Sequence, residues 1–215
     1  MSALNLIPVL AFLLGSVPFG YLLYRLSTGR DIRQAGSGNI GATNVMRTAG
    51  KKMGLLTLAL DAAKGYAAVE IARHMAPGHA VLLAATLLAA ILGHLYSPWL
   101  RFRGGKGVAT GLGAFLAIAA VPLLLAAAIF VIVLALTRYV SLASICACTA
   151  LPALLWTGWG GARPSVPVEM AAIIAAALII ARHHANIGRL LAGTESRFGS
   201  KGAGTTSSGA TGSAA

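Results

Sequence analysis

Residues 108–136 read VATGLGAFLAIAAVPLLLAAAIFVIVLAL, twenty-nine positions without a charge. About 20 apolar residues suffice for one membrane helix, and Pro122 lies inside this run. It is therefore one long helix bent at the proline, or two short spans turning near residues 120–122. The choice sets the number of crossings, and with it the side of the membrane on which each polar segment emerges.

The rest of the chain has the same character. It is 57% hydrophobic and 10% charged over 215 residues. Further apolar spans are predicted at 4–24, 53–72, 81–96, 140–156 and 168–181. The chain is thus an all-α polytopic integral membrane protein. A formal charge of +12 would point a soluble protein toward nucleic acid, but here membrane topology accounts for it, because cytoplasmic loops collect Lys and Arg. No cleavable leader is evident before the first span, which is expected to stay. Cys146 and Cys148, two apart on one span, face nearly opposite ways and read as packing residues.

Charge counting resolves the long run. Two spans there make seven in all, some short, with the N-terminus outside and the C-terminus cytoplasmic. The inside then holds fourteen Lys and Arg residues against two outside, Arg73 and Arg163. A single span moves Arg138 and the C-terminal cations outside and gives ten against six. The positive-inside rule prefers seven. Residues 1–198 are expected to form one membrane-embedded domain, and 199–215, mostly Gly, Ser, Thr and Ala, a disordered tail.

Three polar segments then meet on the cytoplasmic face. In 37–47, Gly38 and Gly41 permit backbone turns that converge N–H groups on an anion. Ser37, Asn39, Thr43 and Asn44 add short hydrogen-bonding side chains, and Arg47 a forked cation. Glycine, serine and asparagine also make ordinary loops. The segment 104–110 carries Gly104, Gly105, Lys106, Gly107 and Thr110; it lacks the P-loop spacing but offers a glycine turn and a lysine at a helix start. His183 and Asn186, three apart where the last span ends, share a helix face. Arg182, Asn186 and Arg189 form a neighbouring stripe. Within span two, Asp61 and Lys64 also share a face and either neutralise each other or turn Lys64 toward the anion site.

In combination these blocks resemble the bacterial membrane glycerol-3-phosphate acyltransferase family that uses acyl phosphate as donor. The resemblance rests on 37–47, 104–110 and 183–197, the last with Ile187, Gly193 and Glu195. It extends to Gly15-Ser16-Val17-Pro18, to Asp61-Ala62-Ala63-Lys64-Gly65 and to Gly93-His94. Arg197 stands where the family pattern leads us to expect lysine, and the tail has no counterpart.

The resemblance implies acyl transfer from acyl phosphate to the 1-hydroxyl of sn-glycerol 3-phosphate, giving lysophosphatidate and phosphate at a bacterial inner membrane. It implies catalytic roles for Ser37, Arg47, Lys106, His183 and Asn186. Substrate or phosphate binding falls to Gly38, Asn39, Gly41, Ala42, Thr43, Asn44, Lys64, Gly104, Gly105, Gly107 and Thr110. No cofactor, metal, nucleic acid or obligate protein partner is expected, only the two substrates and the bilayer. A transporter for a phosphorylated solute is the competing class, but no internal repeat is visible and the polar blocks gather on one face.

Overall fold

The computed structural model describes residues 3–161 and 163–199, so the predicted tail, apart from Gly199, lies outside the described residues. The described chain is helical throughout. Helix α1 (Ile7–Ser16) and α2 (Phe19–Thr28) are separated at Val17-Pro18, where proline removes a donor. Then come α3 (Ala42–Ala49), α4 (Lys51–Met75), α5 (Ala80–Leu95), α6 (Val108–Leu116) and α7 (Ala120–Thr137). Helices α8 (Val140–Trp156), α9 (Val166–Ala181) and α10 (His184–Leu191) complete the set.

Three stretches are long and apolar enough to cross a bilayer: Leu4–Thr28, Ala80–Leu100 and Ala120–Thr137. A fourth is reached if α9 and α10, bent by 57°, are taken as one broken span; α8 is apolar but shorter. Helix α4 has the length, at 25 residues, but carries buried charge at Asp61 and Lys64.

The long apolar run does break, at 117–119, slightly before the expected turn. Pro122 falls in the first turn of α7, where its missing N–H costs no helical bond. Helix α6 has only nine residues, about 14 Å of rise against a hydrocarbon core of about 30 Å. The cause is visible in its packing on α4. The two helices cross where Gly65 meets Thr110 and Gly113 meets Ala62, and Arg73, near the end of α4, donates to Ala117 O at 2.5 Å. The preceding basic loop already lies beside the middle of α4, through the His94 ring that touches both Gly105 and Lys64, and α6 starts from there.

Small residues let the helices approach closely, as membrane interfaces require. A Cβ on Gly15 would overlap the Ala90 carbonyl, and one on Gly93 the Phe12 carbonyl, so α1 and α5 pack backbone against backbone. The main core gathers Leu87, Ile91, Leu95, Phe115, Leu155 and Ile179 from α5, α6, α8 and α9. A second cluster, Tyr24, Ile32, Ile40, Val45 and Leu100, seats α3 and its loop over one end of the bundle. Leu124, Val131, Ile132 and Leu136 of α7 remain exposed, as on a surface facing lipid.

Candidate active site

The loop before α3 is built on one asparagine. Asn44 is 2% exposed; its Nδ2 donates to Ala35 O at 2.9 Å and Asn39 O at 2.8 Å, and its Oδ1 accepts the Ser37 N–H at 2.9 Å. The Gly38 N–H goes to Ala35 O, with Gly38 at a left-handed φ of 71°, and the Gly41 N–H goes to Asn39 Oδ1. Asn44 and Gly38 therefore shape the loop, the Asn44 amide and the Gly38 N–H being already occupied. Ser37 is exposed on the loop, Ala42 and Thr43 open α3 with N–H groups that no earlier turn can accept, and Arg47 lies one turn beyond Thr43.

The basic loop differs from expectation in one respect. The Gly104 and Gly105 N–H groups donate to Leu95 O at 3.1 Å and His94 O at 3.0 Å, at the end of α5. Their carbonyls accept from Arg182, at 3.1 Å and 3.3 Å. With all four groups engaged, this dipeptide offers no N–H to an anion; the loop's contribution is Lys106. Gly107, at φ 87°, turns the chain into α6. Thr110 is fully buried at the α4–α6 crossing, off the cleft, and its hydroxyl has no hydrogen-bond partner among the described residues.

Lys106 reaches the third block. Its Nζ donates to Asn186 Oδ1 at 2.6 Å, and Asn186 Nδ2 donates to Glu195 Oε1 at 2.6 Å. The same Glu195 oxygen accepts from Ser141 Oγ at 2.7 Å, and Oε2 from Arg189 Nε at 2.6 Å. Beyond Glu195 the chain lies along the turn between α7 and α8: the Phe198 N–H donates to Arg138 O at 2.6 Å, and the Arg138 guanidinium donates back to Phe198 O. The Arg197 guanidinium lies 5.5 Å from the Tyr139 ring centre and donates from Nε to the Tyr139 hydroxyl at 3.3 Å. His183 occupies the bend between α9 and α10, 2% exposed, with Nδ1 2.8 Å from Ile179 O. The carbonyl can only accept, so the proton sits on Nδ1 and Nε2 keeps its lone pair.

These groups surround one cleft of about 690 Å³. Ser37, Asn39, Gly41, Ala42, Thr43, Asn44 and Arg47 line one wall; Lys106, Gly107, His183, Asn186, Arg189 and Glu195 line the other. Leu58, Val108, Phe130, Leu134 and Val140 extend it as an apolar arm toward α7. A second cavity, of about 450 Å³, lies by Arg73, Pro77, His79 and Ser165 and contains none of the three blocks.

Four predicted residues, Gly38, Gly104, Gly105 and Thr110, stand behind the lining. Lys64 does too: its Nζ pairs with Asp61 Oδ1 at 2.8 Å, donates to Val17 O at 2.7 Å and lies 2.9 Å from His94 Nδ1, so it is held inside the bundle. The alternative in which Lys64 turns to the anion site is thus not the one adopted. Conversely, Ser141 and the central position of Glu195 were not foreseen. Glu195 had a signal, as the sole carboxylate of its block; Ser141 had none.

Electrostatics follow from enclosure. Burial pushes the Lys106 ammonium down from 10.5 to about 8; Glu195 opposes the shift, and Arg189, Arg47 and Arg182 reinforce it. Burial also drives His183 down from 6.5 to about 4, against the Ile179 bond and with the help of the Lys106 charge. For Glu195 burial alone would raise the carboxyl, but bonds from Ser141, Asn186 and Arg189 hold it below its ordinary value. The cleft thus holds a neutral imidazole beside cations concentrated in a poorly solvated space, a site suited to anions. Among the described residues no group of three His, Cys, Asp or Glu side chains is arranged to hold a metal.

Residues 5–193 match the family model described as glycerol-3-phosphate acyltransferase. The glycerol-3-phosphate acyltransferase of Trichlorobacter lovleyi is 48% identical over 190 residues, covering 87% of this chain and 94% of that one. That of Geotalea daltonii is 50% identical over 188 residues, with the same coverage. The crystal structure of PlsY (YgiH), an integral membrane glycerol 3-phosphate acyltransferase, superimposes in its glycerol 3-phosphate form with a TM-score of 0.87 at 41% identity. That match covers 92% of this chain and 96% of the other, and the lysophosphatidic acid form gives 0.83 at 40%. A model spanning most of the chain, relatives at nearly half identity and a shared bundle agree: the chain belongs to the glycerol-3-phosphate acyltransferase family, as an integral membrane acyltransferase.

Proposed function

We propose that this acyltransferase moves an acyl group from acyl phosphate to the 1-hydroxyl of sn-glycerol 3-phosphate, releasing lysophosphatidate and phosphate. The observation that carries the reading is the Lys106–Asn186 bond, which closes two distant sequence blocks around one cleft opposite Arg47. Two phosphate-bearing substrates need cations on both walls, and a fatty chain needs the apolar arm toward α7. The forms in which the related PlsY was solved correspond to the acceptor and product of this transfer.

Acyl phosphate is a mixed anhydride with a good leaving group, so no acyl-enzyme is needed. The glycerol hydroxyl attacks the carbonyl carbon, the C–O bond to phosphate breaks, and phosphate leaves with its electron pair. Arg47 and Lys106 hold phosphate oxygens and the developing charge. Ser37 donates a hydrogen bond and does not act as nucleophile. His183 Nε2 accepts the hydrogen bond of the attacking hydroxyl and aims it, and Asn186 places the acceptor. A group held near 4 is a weak base at neutral pH. The proton therefore goes to a substrate phosphate, whose second pKa is near 6.

In the membrane, residues 1–198 act as one domain with seven passages, the N-terminus outside and the cleft open to the cytoplasm of a bacterial inner membrane. The distribution of Lys and Arg supports this orientation, and the short α6 starts from a basic loop that already lies beside the middle of α4. The test is purified protein in detergent with glycerol 3-phosphate and either acyl phosphate or an acyl thioester. Lysophosphatidate formed from acyl phosphate alone is expected; equal use of the thioester would overturn the donor assignment.

A further inference from the structure

Three ionisable side chains meet inside the bundle, Asp61 and His94 reaching the cleft lining and Lys64 standing behind it, and none of them has a direct part in the reaction as described. Asp61 and Lys64 lie one turn apart on α4, and His94 lies in the last turn of α5; their side chains are 2%, 1% and 4% exposed. Enclosed charge in a membrane bundle is costly and is retained where it does something that apolar packing cannot.

The contacts indicate what. Lys64 can only donate, so His94 Nδ1, 2.9 Å away, is an acceptor and the ring proton sits on Nε2. Lys64 is itself held by Asp61 and by Val17 O, a carbonyl at the break between α1 and α2 that also accepts the Phe19 N–H. The ring is therefore fixed in both position and orientation. Its opposite edge lies against Gly105: a Cβ there would overlap Nε2, Cδ2 and Cε1 of His94. Gly105 does not have the left-handed φ of Gly107, so the ring, not the backbone, excludes a side chain. Gly105 is thus set between the His94 ring, the α5 carbonyls and the Arg182 guanidinium, and the next residue is Lys106.

We propose that the Asp61–Lys64–His94 cluster is a positioning device: by holding the His94 ring against Gly105, it fixes the basic loop and keeps Lys106 at Asn186. The proposal rests on the acyl-transfer reading only for what Lys106 is positioned to do. Its own observable is the environment of the Lys106 amine, which Glu195, Arg189 and His183 face from the C-terminal block, Arg47 from α3 and Arg182 from the end of α9.

Competitive acetylation of the full-length protein in detergent between about pH 6 and 11, read by peptide mass spectrometry, titrates Lys106 without turnover. The native midpoint is expected near 8. In His94→Ala the loop loses its support, Lys106 gains solvent, and the midpoint rises by about one unit or more. kcat/KM falls about tenfold or more, with the unfolding midpoint changed by only a few degrees. His94→Gln, which retains an acceptor for Lys64, recovers most of both. Gly105→Ala displaces the loop from the other side and also shifts the midpoint. In Gly105→Ala/His94→Ala the added methyl occupies the vacated space, and the midpoint returns toward the native one. Folded His94→Ala and Gly105→Ala proteins that keep the native midpoint would overturn the proposal, even if activity is lost. If His94→Ala does not fold, Gly105→Ala decides alone. A shifted midpoint in a protein inert toward acyl phosphate would count against the acyl-transfer reading and leave the positioning role standing.

Discussion

Lys106 and Asn186, eighty residues apart in sequence, share a 2.6 Å hydrogen bond within one wall of the cleft. Asn186 can accept from Lys106 only because Glu195 accepts from its amide nitrogen on the other side, which fixes the orientation of the group. Asn186 and Glu195 thus hold the cation that the basic loop brings to the cleft.

Removing that cation should abolish most activity. Lys106→Ala and Arg47→Ala are each expected to lower kcat/KM by roughly 100- to 1000-fold, or about 3–4 kcal/mol, the scale of one preorganised contact to developing charge. Both proteins should still insert in the membrane. Lys106→Arg should also be impaired, because a planar fork does not replace a compact ammonium. Near-normal turnover in any of these would remove that residue from the mechanism.

The alkaline limb of the free-enzyme pH profile reports the same amine. Lys106 titrates near 8 because burial lowers it, so kcat/KM should fall as pH rises through that value. Glu195 opposes the lowering. Glu195→Gln should therefore move the limb to lower pH, and a shift to higher pH would contradict the geometry.

His183 separates base from guide. In His183→Gln, substantial residual activity that retains an ionisation near pH 6 supports proton transfer to substrate phosphate. A loss of several orders of magnitude in kcat with unchanged KM would make His183 the base. Stability gives an independent reading. The folded value is depressed to about 4 from 6.5, so the unfolded chain binds the extra proton first on acidification. Native stability should decline as pH drops from 6.5 toward 4, and this component should be absent in His183→Gln.

Much of this arrangement was legible in sequence, and the part that was not has a physical cause. Apolar length and the placement of Lys and Arg led to a helical membrane bundle. Residue chemistry singled out Arg47, Lys106, His183 and Asn186, all of which line the cleft. What sequence could not convey was which polar groups are already engaged. Asn44 and the Gly104-Gly105 pair looked like ligands because their types are right, yet their hydrogen bonds are used in shaping loops. Ser141, on α8, lines the cleft and meets Glu195 of the returning C-terminal segment, a long-range contact without a local pattern. Helix α6 was expected to be a span in its own right, and its length depends on where the preceding loop sits against α4.

Orientation can be tested by labelling. A membrane-impermeant thiol reagent applied to intact cells should miss Ser37→Cys and Lys106→Cys and reach Gly78→Cys. Labelling of either cleft position from outside would invert the proposed topology.

The α1–α5 contact should tolerate no added bulk. Gly93→Ala places a methyl on the Phe12 carbonyl and should destabilise by about 1–3 kcal/mol, read as a lower unfolding midpoint in detergent. An unchanged midpoint would mean that the helices separate without cost.

The segment that carries Glu195 and Phe198 onto Arg138 follows every helix of the described bundle in the order of synthesis. Chains emerge N-terminus first, and early segments fold before later ones exist. The bundle can therefore be threaded into the membrane while the cleft still lacks the carboxylate that fixes Asn186. A ribosome-bound nascent chain lacking this segment would be inserted but catalytically silent, and competence would arrive when residues 195–198 settle against α8 and the turn before it.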